Sequence, residues 1–263
     1  IAAAGLTIPK TSRRSITSPA GTADTMEVLA KVAFSIKKMK QIIEKTNGCI
    51  VWGGSLNLAP ADDKIINVER TLEIDAESQL LASIMAKKYS VSSTHILIDI
   101  PIGEGTKVRT KAEALKLKKN FEEIGKKLRK HVKVIITDGL QPIGNGIGPA
   151  LEARDVLWVL MQDKKRPLDL EKKCISMARE IFKMVGIKDG KKKAMEILNS
   201  GLAYSKMKEI IKVQQGNIFD PNRIKIGKFK CDVKSDKNGI ITKISNKVIS
   251  RIARIAGAPS NKG

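Results

Sequence analysis

The chain has 263 residues, 42% of them hydrophobic, which fits one large globular domain plus a small appendage and excludes a disordered chain. No run approaches the eighteen or so apolar residues of a membrane span, and the opening IAAAGLTIPKTSRRS lacks a basic leader, so neither a membrane anchor nor a signal peptide is expected. The formal net charge of +22 is spread over lysines that alternate with apolar positions, as on solvated helix faces; with aromatics at 3%, too few for a stacking platform, no nucleic-acid partner is expected.

Thr22 and Asp24 offer caps for a first helix, whose stripe Leu29, Val32, Ile36, Met39 and Ile43 runs on to Asn47-Gly48. CIVWGG (49–54) reads as a strand broken by two glycines. Residues 55–74 are loop-like, with Pro60, and Asp75 caps a second helix that runs to about Tyr89. THILIDIPIGEG (94–105) is a buried strand entering a glycine turn, followed by a helix from Lys111 to Lys130. HVKVIITDG (131–139) is another buried strand. Its turn, QPIGNGIGP, leads into a helix from Ala150 to Asp163. Three more helices are predicted at about 168–185, 190–199 and 202–213.

Apolar strands alternating with helices predict an α/β fold, a mostly parallel sheet flanked by helices. Ligands in such sheets sit beyond the C-terminal strand ends, where the glycine turns 53–54, 102–105 and 144–148 all fall. After Pro221 the texture changes: short alternating segments surround Asn238-Gly239, a hairpin signal. Residues 1–224 are therefore assigned to the α/β region and 225–263 to the start of a small, truncated, β-rich C-terminal domain.

Cys49, Cys174 and Cys231 are odd in number and far apart, unlike a disulfide framework or zinc knuckle; free thiols in the cytoplasm and no metal are expected. His95 and His131 are isolated at strand entries.

Three stretches carry groups suited to anionic ligands. KTSRRSITSPAGT (10–22) gathers cations, hydroxyls and a glycine before a helix, which suits a phosphate and equally describes a capped loop. Asp75, Gln79, Ser83 and Lys87 follow at four-residue steps on one helix face. In IGEGTK (102–107), the glycines allow close backbone approach and Lys107 can reach an anion. GNGIGPALEARD differs from a dinucleotide turn, because Pro149 follows and no acid stands at the usual distance.

Together, PAGTADTMEVLA, GGSLNLAPADDKIINVER, IDAESQLLASIMAKK, DIPIGEGTKV and DGLQPIGNGIGPALEARDVL resemble the archaeal AMP phosphorylases and, more distantly, the thymidine and pyrimidine-nucleoside phosphorylases. The resemblance covers about residues 5 to 260. It implies phosphorolysis of AMP, or of CMP or UMP, to free base and ribose 1,5-bisphosphate, with inorganic phosphate as the second substrate and no cofactor. It also implies homo-oligomeric assembly.

Residue by residue, the resemblance implies a phosphate- and nucleotide-binding loop at Arg13, Arg14, Ser15, Ile16, Thr17 and Ser18. It implies a further ligand contact at Thr22 and a phosphate contact at Ser12. Asp75 matches the proton donor to the leaving base, Ser83 and Lys107 match nucleotide contacts, and Lys87 matches the lysine of a SerXXXLys pair. Arg70 stands one residue out of register with an arginine of the nucleoside enzymes. The family loop reads Ser-Ser-Arg-Ala-Ile-Thr-Ser where this chain has Ser-Arg-Arg-Ser-Ile-Thr-Ser, so Arg13 is an added cation. The family's small N-terminal domain and its Lys-His-Ser-type phosphate segment are not in this chain. A thymidine or pyrimidine-nucleoside phosphorylase is the alternative. A phosphoribosyltransferase of related fold would require a pyrophosphate–magnesium site.

Overall fold

The computed structural model describes residues 1–15, 18–56 and 77–260, with 77–80 as backbone alone. Arg70, Asp75, Ile16 and Thr17, and the side chain of Gln79, lie outside the described residues.

The N-terminal part is a parallel pair of short strands, β1 (Ile8–Ser12) and β2 (Gly48–Trp52), in register from Ile8 opposite Gly48 to Ser12 opposite Trp52. β1 is an addition to the predicted elements. Pro9 and Lys10 hide it in the sequence; a proline is tolerated because this strand has a partner on one side only among the described residues. The crossover between the strands holds α1 (Thr22–Glu27) and α2 (Ile36–Thr46).

The sequence predicts one helix across this crossover, and the structure interrupts it. Between α1 and α2 the backbone pairs elsewhere: Lys31 N–H donates to the Gln214 carbonyl, and Trp52 N–H donates to that of Val32. Leu29, Val32 and Phe34 are buried from this irregular segment, so tertiary pairing outweighs the helical periodicity that Leu29 and Val32 display. The Ser35 hydroxyl then accepts from Lys38 N–H and starts α2 afresh.

After α3 (Glu77–Ser90) comes a second parallel pair, β3 (His95–Ile102) and β4 (His131–Asp138), joined through α4 (Lys111–Lys127). Ile96, Ile98, Ile100 and Val134 pack with Leu81 and Met85 of α3 and with Ala114, Leu117 and Phe121 of α4. Burial of each such large side chain contributes about 1.5–3 kcal/mol. Thr110 and Glu113 cap α4 reciprocally. A Cβ on Gly125 would stand 2.4 Å from Val132, so glycine lets α4 lie close on β4.

The chain continues through α5 (Pro149–Met161), α6 (Leu168–Met184), α7 (Gly190–Asn199) and α8 (Leu202–Val213), all close to their predicted bounds. α6 is tied to the second strand pair by Lys173, 2.8 Å from Asp99 and 3.2 Å from Thr137. α8 closes the first core: Ile210 and Ile211 pack with Met26, Leu29, Val32 and Leu157. Gln214, fully buried just beyond α8, accepts from Ile50 N–H and donates to the Lys31 and Ile50 carbonyls.

The fold is thus α/β with parallel strands throughout, divided among the described residues into two two-stranded sheets. The hairpin expected around Asn238-Gly239 does not form: residues 225–245 contain no strand. Phe229, Val233 and Ile240 are 98%, 94% and 91% exposed, so the expected strands pack on no apolar surface among the described residues, and an unsupported hairpin is marginal. The last element is helix α9 (Asn246–Ile255). Among the described residues, no helix is long and apolar enough to cross a membrane.

Candidate functional site

β1 delivers its last residue, Ser12, to Arg13, Arg14 and Ser15, and Arg14, Ser15 and Gly21 gather around the carboxylate of Asp24. Asp24 is only 3% exposed and accepts from Ser15 N–H (2.7 Å), Gly21 N–H (3.0 Å) and Arg14 Nη1 (3.3 Å). Gly21 N-caps α1, and Thr22, expected as the cap, is the first helical residue. A Cβ on Gly21 would stand 2.6 Å from the Arg13 carbonyl, so the loop closes on itself only with glycine there. The hydroxyls stay local: Ser12 donates to the Arg13 carbonyl, Ser15 to that of Ser18, and Ser18 to that of Ala20.

The two arginines face different partners. Arg14 makes a bidentate pair with Glu27 (2.5 and 2.6 Å) and lies 4.9 Å from the centre of the Trp52 ring. The Glu27 hydrogen bond, ahead of the charges of Glu27 and Asp24, raises its pKa. Arg13 reaches outward instead: its Nη2 donates to Ser83 Oγ on α3 at 2.7 Å. Lys87, one turn further along α3, contacts the same oxygen at 3.4 Å. Ser83 is buried, so loop and helix meet at a hydroxyl flanked by two cations.

Lys10, already part of the cationic stretch 10–22, and Lys88, which the sequence analysis did not single out, add to this positive region. Burial, then the charges of Lys10 and Lys87, pushes Lys88 down to about 8. Burial also lowers Lys10. Cations crowded closely enough to oppose one another's charge favour a bound anion. Only the tertiary structure brings these lysines, far apart in sequence, close enough to feel one another's charge.

The glycine turns follow β2, β3 and β4 as expected. Gly103 and Gly105 follow β3, and Gly144 and Gly148 follow β4; all four have positive φ. Asp155 of α5 pins the latter turn from beneath, accepting from Asn145 and Gly146 N–H at 2.7 Å each, while its other oxygen is buried without a partner. Glu152 joins this turn to α1: one oxygen accepts from Gly148 N–H (3.1 Å), the other from the Thr25 hydroxyl (3.2 Å). Burial raises the Glu152 pKa. Their legible signal is two acids following the glycine turn in the same helical segment.

Lys107 stands apart from this convergence. It is exposed in the turn after β3, and among the described residues no hydrogen bond or ion pair joins it to loop 12–22 or α3. Among the described residues no cluster of three or more His, Cys, Asp or Glu suits a metal ion. A broad depression lies along α7, lined by Lys191, Lys192, Met195 and Glu196. It is too open to exclude water and shares no residue with this region.

Comparison with known proteins gives a family. The model described as "Glycosyl transferase family, a/b domain" matches residues 1–204. The chain is 53% identical to an AMP phosphorylase of Pyrococcus horikoshii, with 100% of this chain and 53% of that protein covered. It is 52% identical to an AMP phosphorylase of Thermococcus kodakarensis, over 100% of this chain and 53% of that protein. A putative thymidine phosphorylase of Bradyrhizobium is 48% identical, over 100% and 52%. The chain spans about half the length of the curated relatives it matches.

Proposed function

The chain belongs to the glycosyl transferase family, and from that membership we propose that it forms the α/β part of a nucleotide phosphorylase acting on AMP. In this reaction the bond between C1′ of the ribose and the base breaks, a bond from C1′ to a phosphate oxygen forms, and the base leaves with a proton. The products are free base and ribose 1,5-bisphosphate.

The observation that carries the reading is the meeting of Arg13 and Lys87 on Ser83 Oγ. It brings the loop and the α3 face, both expected to bind substrate, into one positive region that takes a dianionic phosphate. Arg13, Ser83 and Lys87 bind there, with Lys107 as a further cation for the nucleotide's own phosphate. Ser12, Ser15, Ile16, Thr17, Ser18 and Thr22 complete the loop. Arg14 acts through Asp24 and Glu27 as a positioning residue that keeps the loop folded. Asp75 is the proton donor. An ordinary carboxyl near pKa 4 is ionised at neutral pH, so this role needs a raised pKa, which phosphates bound beside it would supply.

The test is a phosphate-dependent assay of the complete protein on AMP, CMP, UMP and thymidine, reading free base and sugar phosphate. Release of adenine from AMP only with phosphate is expected. Asp75→Asn is expected to lower kcat by roughly 10²–10⁴-fold, and near-normal kcat removes its role. The similarity to a putative thymidine phosphorylase supports a second reading, a pyrimidine-nucleoside phosphorylase, which turnover of thymidine over AMP would favour. Homo-oligomeric assembly and a cytoplasmic location belong to the same proposal.

A further inference from the structure

We propose that Lys243–Ala258 is a strap that positions the Lys107 turn, with Asn246 as its anchoring residue; this rests on the reading of Lys107 as a contact for the nucleotide's phosphate. The strap crosses the glycine turns at the C-terminal ends of β3 and β4. Asn246 Nδ2 donates to the Gly139 carbonyl at 2.9 Å, and Ile244 N–H donates to Gln141 Oε1 at 3.0 Å. Lys243 pairs with Glu104 at 2.7 Å. A Cβ on Gly105 would meet that of Asn246 at 3.6 Å, and one on Gly148 would meet that of Ala258 at 3.5 Å. One short segment therefore touches the 103–107 turn, the 139–141 turn and Gly148.

The turns need such a tie. The 103–107 turn is closed on itself by Thr106, whose hydroxyl lies within hydrogen-bonding distance of the Gly103 and Val108 carbonyls, and by Thr106 N–H donating to the Gly103 carbonyl and Gly103 N–H to that of Val108, so it is stiff within itself and its placement depends on what it is tied to. It rests on the neighbouring turn: a Cβ on Gly139 would stand 2.7 Å from Thr106, and one on Gly103 would stand 2.8 Å from Leu140 N. Asn246 grips Gly139, the floor of that contact, so its hold passes to Lys107 at the far end of the turn. The Lys243–Glu104 pair is 64% and 78% exposed and contributes little. The part-buried amide of Asn246 therefore carries the anchoring. Misplacing a binding cation by about 1 Å is enough to cost a large factor in rate or affinity.

The test uses the complete protein, with Asn246→Ala, Lys243→Ala, Lys107→Ala and the Asn246→Ala/Lys107→Ala pair. Asn246→Ala is expected to raise KM for AMP by about 5–20-fold with kcat within about 2-fold, and to leave KM for adenosine unchanged. Once Lys107 is removed, Asn246→Ala should add nothing, because both act through one ammonium group. Lys243→Ala should move KM in the same direction by less, which guards against a misfolded Asn246 variant. Amide hydrogen exchange at residues 104–107 should accelerate in Asn246→Ala whether or not AMP is a substrate. Unchanged exchange there overturns the strap, as does an equal effect on AMP and adenosine or an additive double variant. If the unaltered protein releases no base from AMP, the phosphorylase reading fails instead, and the exchange measurement still decides the strap.

Discussion

Arg13 Nη2 and Ser83 Oγ meet at 2.7 Å across a sequence separation of 70 residues. Arg13 stands where the resembling loops carry serine, so this chain uses an added cation to bridge loop and helix. Arg13→Ser should raise KM for AMP by roughly 10-fold, since hydrogen bonds to charged groups contribute about 1.5–3 kcal/mol. KM for adenosine should move less. Equal shifts in the two constants, measured by steady-state kinetics on the complete protein, would remove the argument for nucleotide specificity.

Asp24 gathers two backbone N–H groups and Arg14 in a buried position. Removing it leaves those donors unpaired and Arg14 with Glu27 alone. Asp24→Ala should destabilise the fold by about 2–4 kcal/mol, since each buried donor left unsatisfied costs about 1–3 kcal/mol. Urea denaturation gives the value, and a loss below about 1 kcal/mol would mean the loop does not depend on this carboxylate.

Gln214 fills three hydrogen-bonding positions in a site with no exposure. Gln214→Leu keeps much of the volume but strands the Lys31 carbonyl and both polar groups of Ile50. A cost of about 2–4 kcal/mol is expected, because each buried unsatisfied group carries about 1–3 kcal/mol. An unchanged denaturation midpoint would contradict it.

Lys88 has a pKa pushed down to about 8 from its ordinary 10.5, by burial first and then by the charges of Lys10 and Lys87. A base with a depressed folded-state pKa is protonated more weakly folded than unfolded. Between about pH 8 and 10.5 the unfolded chain therefore holds more protons, and this group makes stability rise with pH; below that window its penalty is full. Lys88→Met should raise Tm at neutral pH and flatten the rise above pH 8. A Tm series across that range checks both, and a wild-type profile that falls through the window would count against the assignment.

Much of the architecture is legible in the amino-acid order. β3, α4, β4 and the helices from α5 to α8 lie close to their predicted bounds, because each has a sustained apolar pattern and a local cap or glycine stop. The glycine turns fall at the C-terminal strand ends for the same reason. The division of the first predicted helix at residues 28–35 is not legible: Leu29, Val32 and Ile36 keep a helical spacing while Gln214, far along the chain, takes the segment's backbone groups. The hairpin near Asn238-Gly239 fails in the opposite way, since its local signal is strong but it packs on no apolar surface among the described residues.

The candidate site divides along the same line. Residue types and spacing on their own determined that cations, hydroxyls and glycines cluster in 10–22, 83–87 and 102–107, because those choices are written in consecutive positions. Only the tertiary structure decided that Arg14 turns inward to Glu27 while Arg13 turns outward to Ser83, that Lys88 stands near Lys10, and that Asn246 rests on Gly139. A side chain's partner depends on which distant backbone crosses its path, and local sequence does not carry that information.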